Sequence, residues 1–234
     1  MEENGKANGK SNGNGHAVMP AFELEHILVP RLKNVPKISA PVTITSGEDR
    51  LQGIIKMLLL ELGLDASSEH FRDTPRRVAH FYREFTRGYH ADPAQILKTF
   101  RSRTNELIAL SDIQFFSLCP HHLLIYGGRI DFGYVPNGQI VGISKIPRLV
   151  QALAARPVVQ ETLVADIADA FMSVVKPLGC VVKATARHGC VAARGVRCPE
   201  ATMSTVALRG VFSADQKYVH DFYQVIGRNA EYLR

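Results

Sequence analysis

What most constrains this fold is the order of hydrophobic periods along the chain: two strand-like runs, two helical runs, two strand-like runs, one helical run. Residues 107–118 and 123–135 are rich in β-branched, aromatic and leucine side chains, and Pro120 and Pro136 punctuate them, which predicts a pair of strands. A helix is then predicted from Ser144 to about Ala155. A second opens at Pro157, carries Leu163, Ile167, Phe171 and Val174 on one face, and stops at the Pro-Leu-Gly of 177–179. Another strand pair is predicted at 180–188 and about 201–212, joined by the loop "RGVRCPEA". Ser213 and Gln216 are expected to cap a last helix reaching about Tyr232.

Two helices precede the first strand pair. Ser46 and Asp49 fit a capping box ahead of apolar residues at 51, 54, 55, 58, 59 and 62, with Gly63 as the stop. The stretch "DTPRRVAHFYREFTRG" offers Thr74 as N-cap, Pro75 at the first helical position and Gly88 beyond the end. The body therefore reads ααββααββα. Two antiparallel strand pairs separated by a helix pair imply an α+β arrangement, a four-stranded antiparallel sheet with helices on one face. Residues 46–234 form one domain on this reading, with a helical N-terminal part (46–100) and a sheet-bearing part (101–234). Its open sheet edges need management, and closure of several chains into a barrel is one solution.

Composition excludes several classes. No run approaches the ~18 apolar residues of a membrane span. The N-terminus lacks the apolar core of a signal peptide and shows no transit-peptide pattern, so a cytoplasmic protein is expected. Residues 1–19 repeat Asn-Gly and Gly-Lys units with little to bury, and 1–45 reads as a disordered tail and linker. The net charge of +6 suits an anionic partner. Lys and Arg are dispersed and no nucleic-acid motif is present, so neither nucleic acid nor a membrane is the expected partner, and a nucleotide triphosphate stays open.

Four cysteines stand at 119, 180, 190 and 198. Cys180 opens an apolar run and reads as a packed thiol, and Cys198 has no histidine nearby. Cys119 and His122 have C-x-x-H spacing, with Pro120 to make the turn, and His188 and Cys190 sit at the equivalent place in the second strand pair. In extended chain, His188 and Cys190 would share a face. If all four bind a metal, the site is closed and structural. If Cys119, His122 and Cys190 bind, a coordination position stays open, and His121 and His188 are left for proton transfer. Spacing alone does not choose between these, or against two packed cysteines with surface histidines.

The segments "SLCPHHLL", "GYVP", "GISKIPRLVQ", "RPVVQETL" and "RHGCVAARGV" occur in the order and approximate spacing of GTP cyclohydrolase I, and the chain resembles that family over roughly 46–230. The resemblance implies the tunnelling fold, a toroidal homodecamer with active sites shared between subunits, and one Zn2+ per site. It implies conversion of GTP and water to formate and 7,8-dihydroneopterin triphosphate, the first step of pterin synthesis. It also implies the open site: Cys119, His122 and Cys190 as ligands, with His121 and His188 as catalytic histidines. His188 is expected to serve the purine ring and His121 the ribose rearrangement.

Glu161 is implied as the guanine reader, with Gln160 assisting. Lys145, Arg148 and Arg194 are implied as triphosphate contacts, and Arg77 as one supplied to a neighbouring subunit. Ser144 and Lys145 independently stand at a predicted helix N-terminus, where free N–H groups attract phosphate. Arg76 and Arg77 in a first helical turn are at the wrong end for cations, which suggests an anion there. Two positions depart from the family: Pro120 stands where many members have glutamate, and His80 where lysine is common. Alternatives weighed beside this reading are another enzyme of the same fold, such as the nitrile reductase of queuosine synthesis, a cyclohydrolase stopping at a ring-opened product, and a zinc-stapled nucleic-acid-binding module.

Overall fold

Burial along the central strands alternates with a period of two. In β3 (Ile125–Val135), Tyr126, Ile130, Phe132 and Tyr134 are buried, and in β5 (Gly179–His188) so are Cys180, Val182, Ala184 and Ala186. These residues share the face packed by α4 (Lys145–Ala154) and α5 (Gln160–Val175), which bring Leu149, Val150, Leu163, Ile167 and Phe171, all essentially inaccessible to solvent. Phe171 wedges between Phe132 and Tyr134 at centroid distances of 4.7 and 5.0 Å, both edge-on. Burying a side chain of that size contributes roughly 1.5–3 kcal/mol.

The computed structural model describes residues 47–229. The expectations for the 1–45 tail, for Ser46 as a cap and for the end of the last helix near Tyr232 lie outside the described residues. The main sheet has the antiparallel order β2-β3-β5-β6, with β2 spanning Ile108–Leu118 and β6 spanning Met203–Gly210. The two predicted strand pairs thus meet through β3 and β5. Register places Tyr126 opposite both Ser117 and His188, so the predicted site residues gather at one end of the sheet.

The helix pair covers one face, as expected. On the other face α8 (Gln216–Asn229) adds a smaller cluster, with Phe222 against Val135, Val181 and Phe212. Before the sheet stand α1 (Gly47–Glu61), α2 (Thr74–Glu84), a 3-10 turn (Arg87–His90) and the short α3 (Pro93–Ile96). The 3-10 turn and α3 went unpredicted, as did β1 (Thr99–Arg101) and β4 (Gln139–Val141), which pair with each other and are too short to carry a period. No helix among the described residues is long and apolar enough to cross a membrane.

Several boundaries move for identifiable reasons. Helix α2 takes Asp73, not Thr74, as its N-cap, with no side-chain cap bond. Asp73 instead accepts from Arg77 Nη2 at 3.3 Å in an exposed ion pair. Helix α5 begins at Gln160, because Pro157 is occupied in a parallel bridge to Leu118 and Val158 N–H donates to the Leu118 carbonyl at 3.1 Å. It ends where Lys176 adopts the left-handed conformation ahead of Pro177. Ser213 falls in a separate turn, α7 (Val211–Ala214), and Asp215 takes the capping role by accepting from Lys217 N–H at 2.8 Å.

Candidate metal centre and active site

Cys119 follows β2 directly and begins a tight turn. Its N–H donates to the Leu124 carbonyl at 2.9 Å, and its own carbonyl accepts from Leu123 N–H at 2.8 Å. Leu123 pays for this with a left-handed φ of 53°. The turn folds both histidines back over the thiol, placing His121 Nδ1 3.7 Å and His122 Nδ1 3.8 Å from Cys119 Sγ.

The second cluster does not remain extended. The chain leaves β5 at His188 and winds Gly189–Ala192 into one helical turn, α6. A Cβ on Gly189 would lie 2.7 Å from the Ile125 carbonyl oxygen, so the turn closes onto β3 only with glycine there. The shared strand face expected for His188 and Cys190 is therefore lost. Cys190 Sγ turns to within 3.9 Å of Cys119 Sγ, while His188 Nε2 turns to Gln160 Oε1 at 2.9 Å.

The donor atoms of Cys119, His122 and Cys190 lie within 4.8 Å of one another, and no comparable group among the described residues includes His188. Tetrahedral bonds of ~2.3 Å to sulfur and ~2.0 Å to nitrogen set ligand separations of about 3.8 Å for S···S and about 3.6 Å for S···N. The observed 3.9 and 3.8 Å match that geometry and are far too long for a disulfide. The residues present fit a metal ion with an open position.

Burial, reinforced by the neighbouring Cys119, pushes the Cys190 thiol up from its ordinary value, a cost that a bound cation would reverse by holding the thiolate. Burial lowers the His188 imidazole, with the Glu161 carboxylate pulling the other way, which favours a neutral ring.

Beside the cluster lies a cavity of about 170 Å³ whose lining includes His121, Tyr126, Gln160, Glu161, His188 and Met203. The "RPVV" segment builds one wall, because its bonds to the end of β2 carry the start of α5 to the thiols. Tyr126 stacks on His188 at 4.5 Å with ring planes 3° apart, and its hydroxyl donates to the Val158 carbonyl at 2.8 Å. Sequence reasoning did not single out Tyr126, which reads there as an ordinary strand aromatic. Met203 and Thr205 were likewise missed, for want of any local signal.

The phosphate candidates divide. Arg194 reaches the cluster, its Nη1 2.8 Å from His122 Nε2, a contact that gives way once Nδ1 holds a metal and Nε2 carries the ring hydrogen. Ser144, Lys145, Arg148 and Arg77 do not line this cavity. Ser144 does precede α4 as its N-cap, without a side-chain cap bond. Cys180 is fully buried as expected, and Cys198 is exposed.

An α+β sheet that converges two thiols and an imidazole at one end, beside a cavity lined by two histidines and a carboxylate, defines a class of metal-dependent enzymes. The sequence model described as GTP cyclohydrolase I matches residues 51–227. "GTP cyclohydrolase 1" of Mycolicibacterium vanbaalenii is 41% identical over 170 residues, 71% of this chain and 84% of that protein. The protein of the same name from Campylobacter curvus is 38% identical over 186 residues, 79% of this chain and 98% of its own length. A solved structure, the archaeosine synthase QueF-Like in the apo form, is similar at a TM-score of 0.36 and 20% identity over 44% of this chain and 93% of its own. The chain belongs to the GTP cyclohydrolase I family, and its fold is that family's tunnelling fold.

Proposed function

We propose that this chain hydrolyses and rearranges GTP to 7,8-dihydroneopterin triphosphate with release of formate, the first step of pterin synthesis, using one zinc ion per site. The observation that carries the reading is the convergence of Cys119, His122 and Cys190 donor atoms within 4.8 Å beside the cavity that His121, His188 and Glu161 line. Zinc held by these three residues would supply the Lewis acidity that makes a hydrolytic nucleophile available near neutral pH.

The chain's own groups do the rest. Glu161 accepts from N1–H and the 2-amino group of guanine, two donors that adenine does not present together. His188 holds a proton at the imidazole ring of the purine, where both C–N bonds to C8 must break for it to leave as formate. His121 serves the ribose, which must open and rearrange before the second ring closes. Arg194, which reaches His122 beside the cluster, takes the triphosphate once it leaves that histidine.

Ser144, Lys145, Arg148 and Arg77 stand away from this cavity, which supports a shared site: in a homodecamer they complete the pocket of a neighbouring copy. Residues 46–234 act as one catalytic domain in the cytoplasm, without nucleic acid or membrane as partner. The test is to incubate zinc-replete protein with GTP and assay formate together with pterin fluorescence after oxidation. Both products are expected, and absence of formate from metal-replete protein would overturn the reading.

A further inference from the structure

Gln160 opens α5 and is fully buried, an unusual place for an amide. Its Nε2 lies 3.0 Å from the Met203 carbonyl, 3.0 Å from Thr205 Oγ1 and 3.3 Å from the Ala184 carbonyl. Carbonyl oxygens only accept, so the amide nitrogen must face them, and the flipped amide would set oxygen against oxygen. Strands β5 and β6 therefore fix the amide's orientation, which leaves Oε1 aimed at His188 Nε2 at 2.9 Å.

An amide oxygen also only accepts. His188 Nε2 must then carry the hydrogen, and in the neutral ring the lone pair falls on Nδ1. Stacking on Tyr126 fixes the ring plane, and Tyr126 is itself anchored through its hydroxyl. The constraint runs from the sheet to the amide and from the amide to the imidazole.

We propose that Gln160 is a positioning residue that holds His188 as its Nε2–H tautomer, so that Nδ1 is the atom exchanging protons with the substrate. The proposal rests on His188 being the proton-transfer group. It replaces the guanine contact expected for Gln160, because the amide nitrogen is held by three acceptors and the oxygen, the only acceptor the side chain has for guanine's donors, is turned to His188.

The test uses zinc-loaded protein labelled with 15N-histidine, in which the His188 signals are those missing from His188→Ala. The wild-type spectrum should place the ring hydrogen on Nε2, and a hydrogen on Nδ1 alone overturns the proposal without any variant. Gln160→Met should give a mixture of tautomers and lower kcat for formate release by about 10–100-fold, part of the ~10²–10⁴-fold that a general acid or base supplies. KM for GTP should hold within about threefold, since a positioning role acts on the transition state. A rise in KM at constant kcat would return Gln160 to the guanine contact and overturn the proposal. If Gln160→Met does not fold, the wild-type spectrum decides alone. Formate release at the wild-type rate from His188→Ala would instead remove the catalytic premise, leaving the tautomer itself as measured.

Discussion

Replacing His188 by alanine separates proton transfer from metal binding, provided its cost in stability is worked out first. The imidazole donates to the Oε1 of a fully buried glutamine and stacks on Tyr126. Leaving a buried acceptor unpaired costs about 1–3 kcal/mol. Loss of the ring stack adds roughly 0.5–1.5 kcal/mol. His188→Ala should therefore lose on the order of 2–4 kcal/mol of stability even though it is no ligand, and a lowered Tm says nothing about the metal. Zinc content does, because the donor set of Cys119, His122 and Cys190 is complete without His188. Formate release should fall by ~10²–10⁴-fold while zinc per chain stays at one. The assay is zinc content and formate release on a single folded preparation, with Tm recorded beside them. Loss of zinc in parallel with activity would make His188 the fourth ligand and refute the open site.

Cys119→Ala, His122→Ala and Cys190→Ala should each lose zinc and activity together, and full zinc occupancy in Cys190→Ala would exclude the proposed ligand set. Glu161→Ala should weaken GTP use while zinc content holds, because guanine's two edge donors lose their acceptor at about 1–3 kcal/mol each; unchanged GTP affinity would move the base pocket elsewhere. Arg209 donates to both carboxylate oxygens of Asp169, at 2.6 and 3.2 Å, tying β6 to α5, and holds that carboxyl below its ordinary 3.8. A depressed folded value contributes stability that is complete above the unfolded value and is lost as pH falls through the folded one. The Tm advantage of wild type over Arg209→Met should thus be present at neutral pH and shrink below about pH 3.8, whereas a gap independent of pH would assign the effect to packing alone.

The sequence by itself determined the long elements and most of the chemistry-bearing residues. Strand-forming composition in 123–135, the apolar face of Leu163, Ile167, Phe171 and Val174, and the Pro and Gly stops are local properties, so they can be read without contacts. The pairing of C-x-x-H with H-x-C narrowed the metal ligands to a handful, and the family resemblance chose among them. Caps were less legible. Asp73 and Asp215 displaced Thr74 and Ser213 because where a helix begins depends on what the preceding residues are bonded to, as Pro157 on Leu118 makes plain.

Only the tertiary structure decided what each site residue does. Sequence spacing put His188 and Cys190 on one strand face, but the close approach of Gly189 to Ile125 winds them apart, one toward the amide and one toward the metal. Gln160 and Glu161 are neighbours in sequence with similar side chains. Helix geometry turns Gln160 into the sheet, fully buried, and leaves Glu161 exposed beside the cavity. Nothing local distinguishes them, because the acceptors that fix Gln160 come from Ala184, Met203 and Thr205, which only the folding of β5 and β6 beneath α5 brings within hydrogen-bond reach.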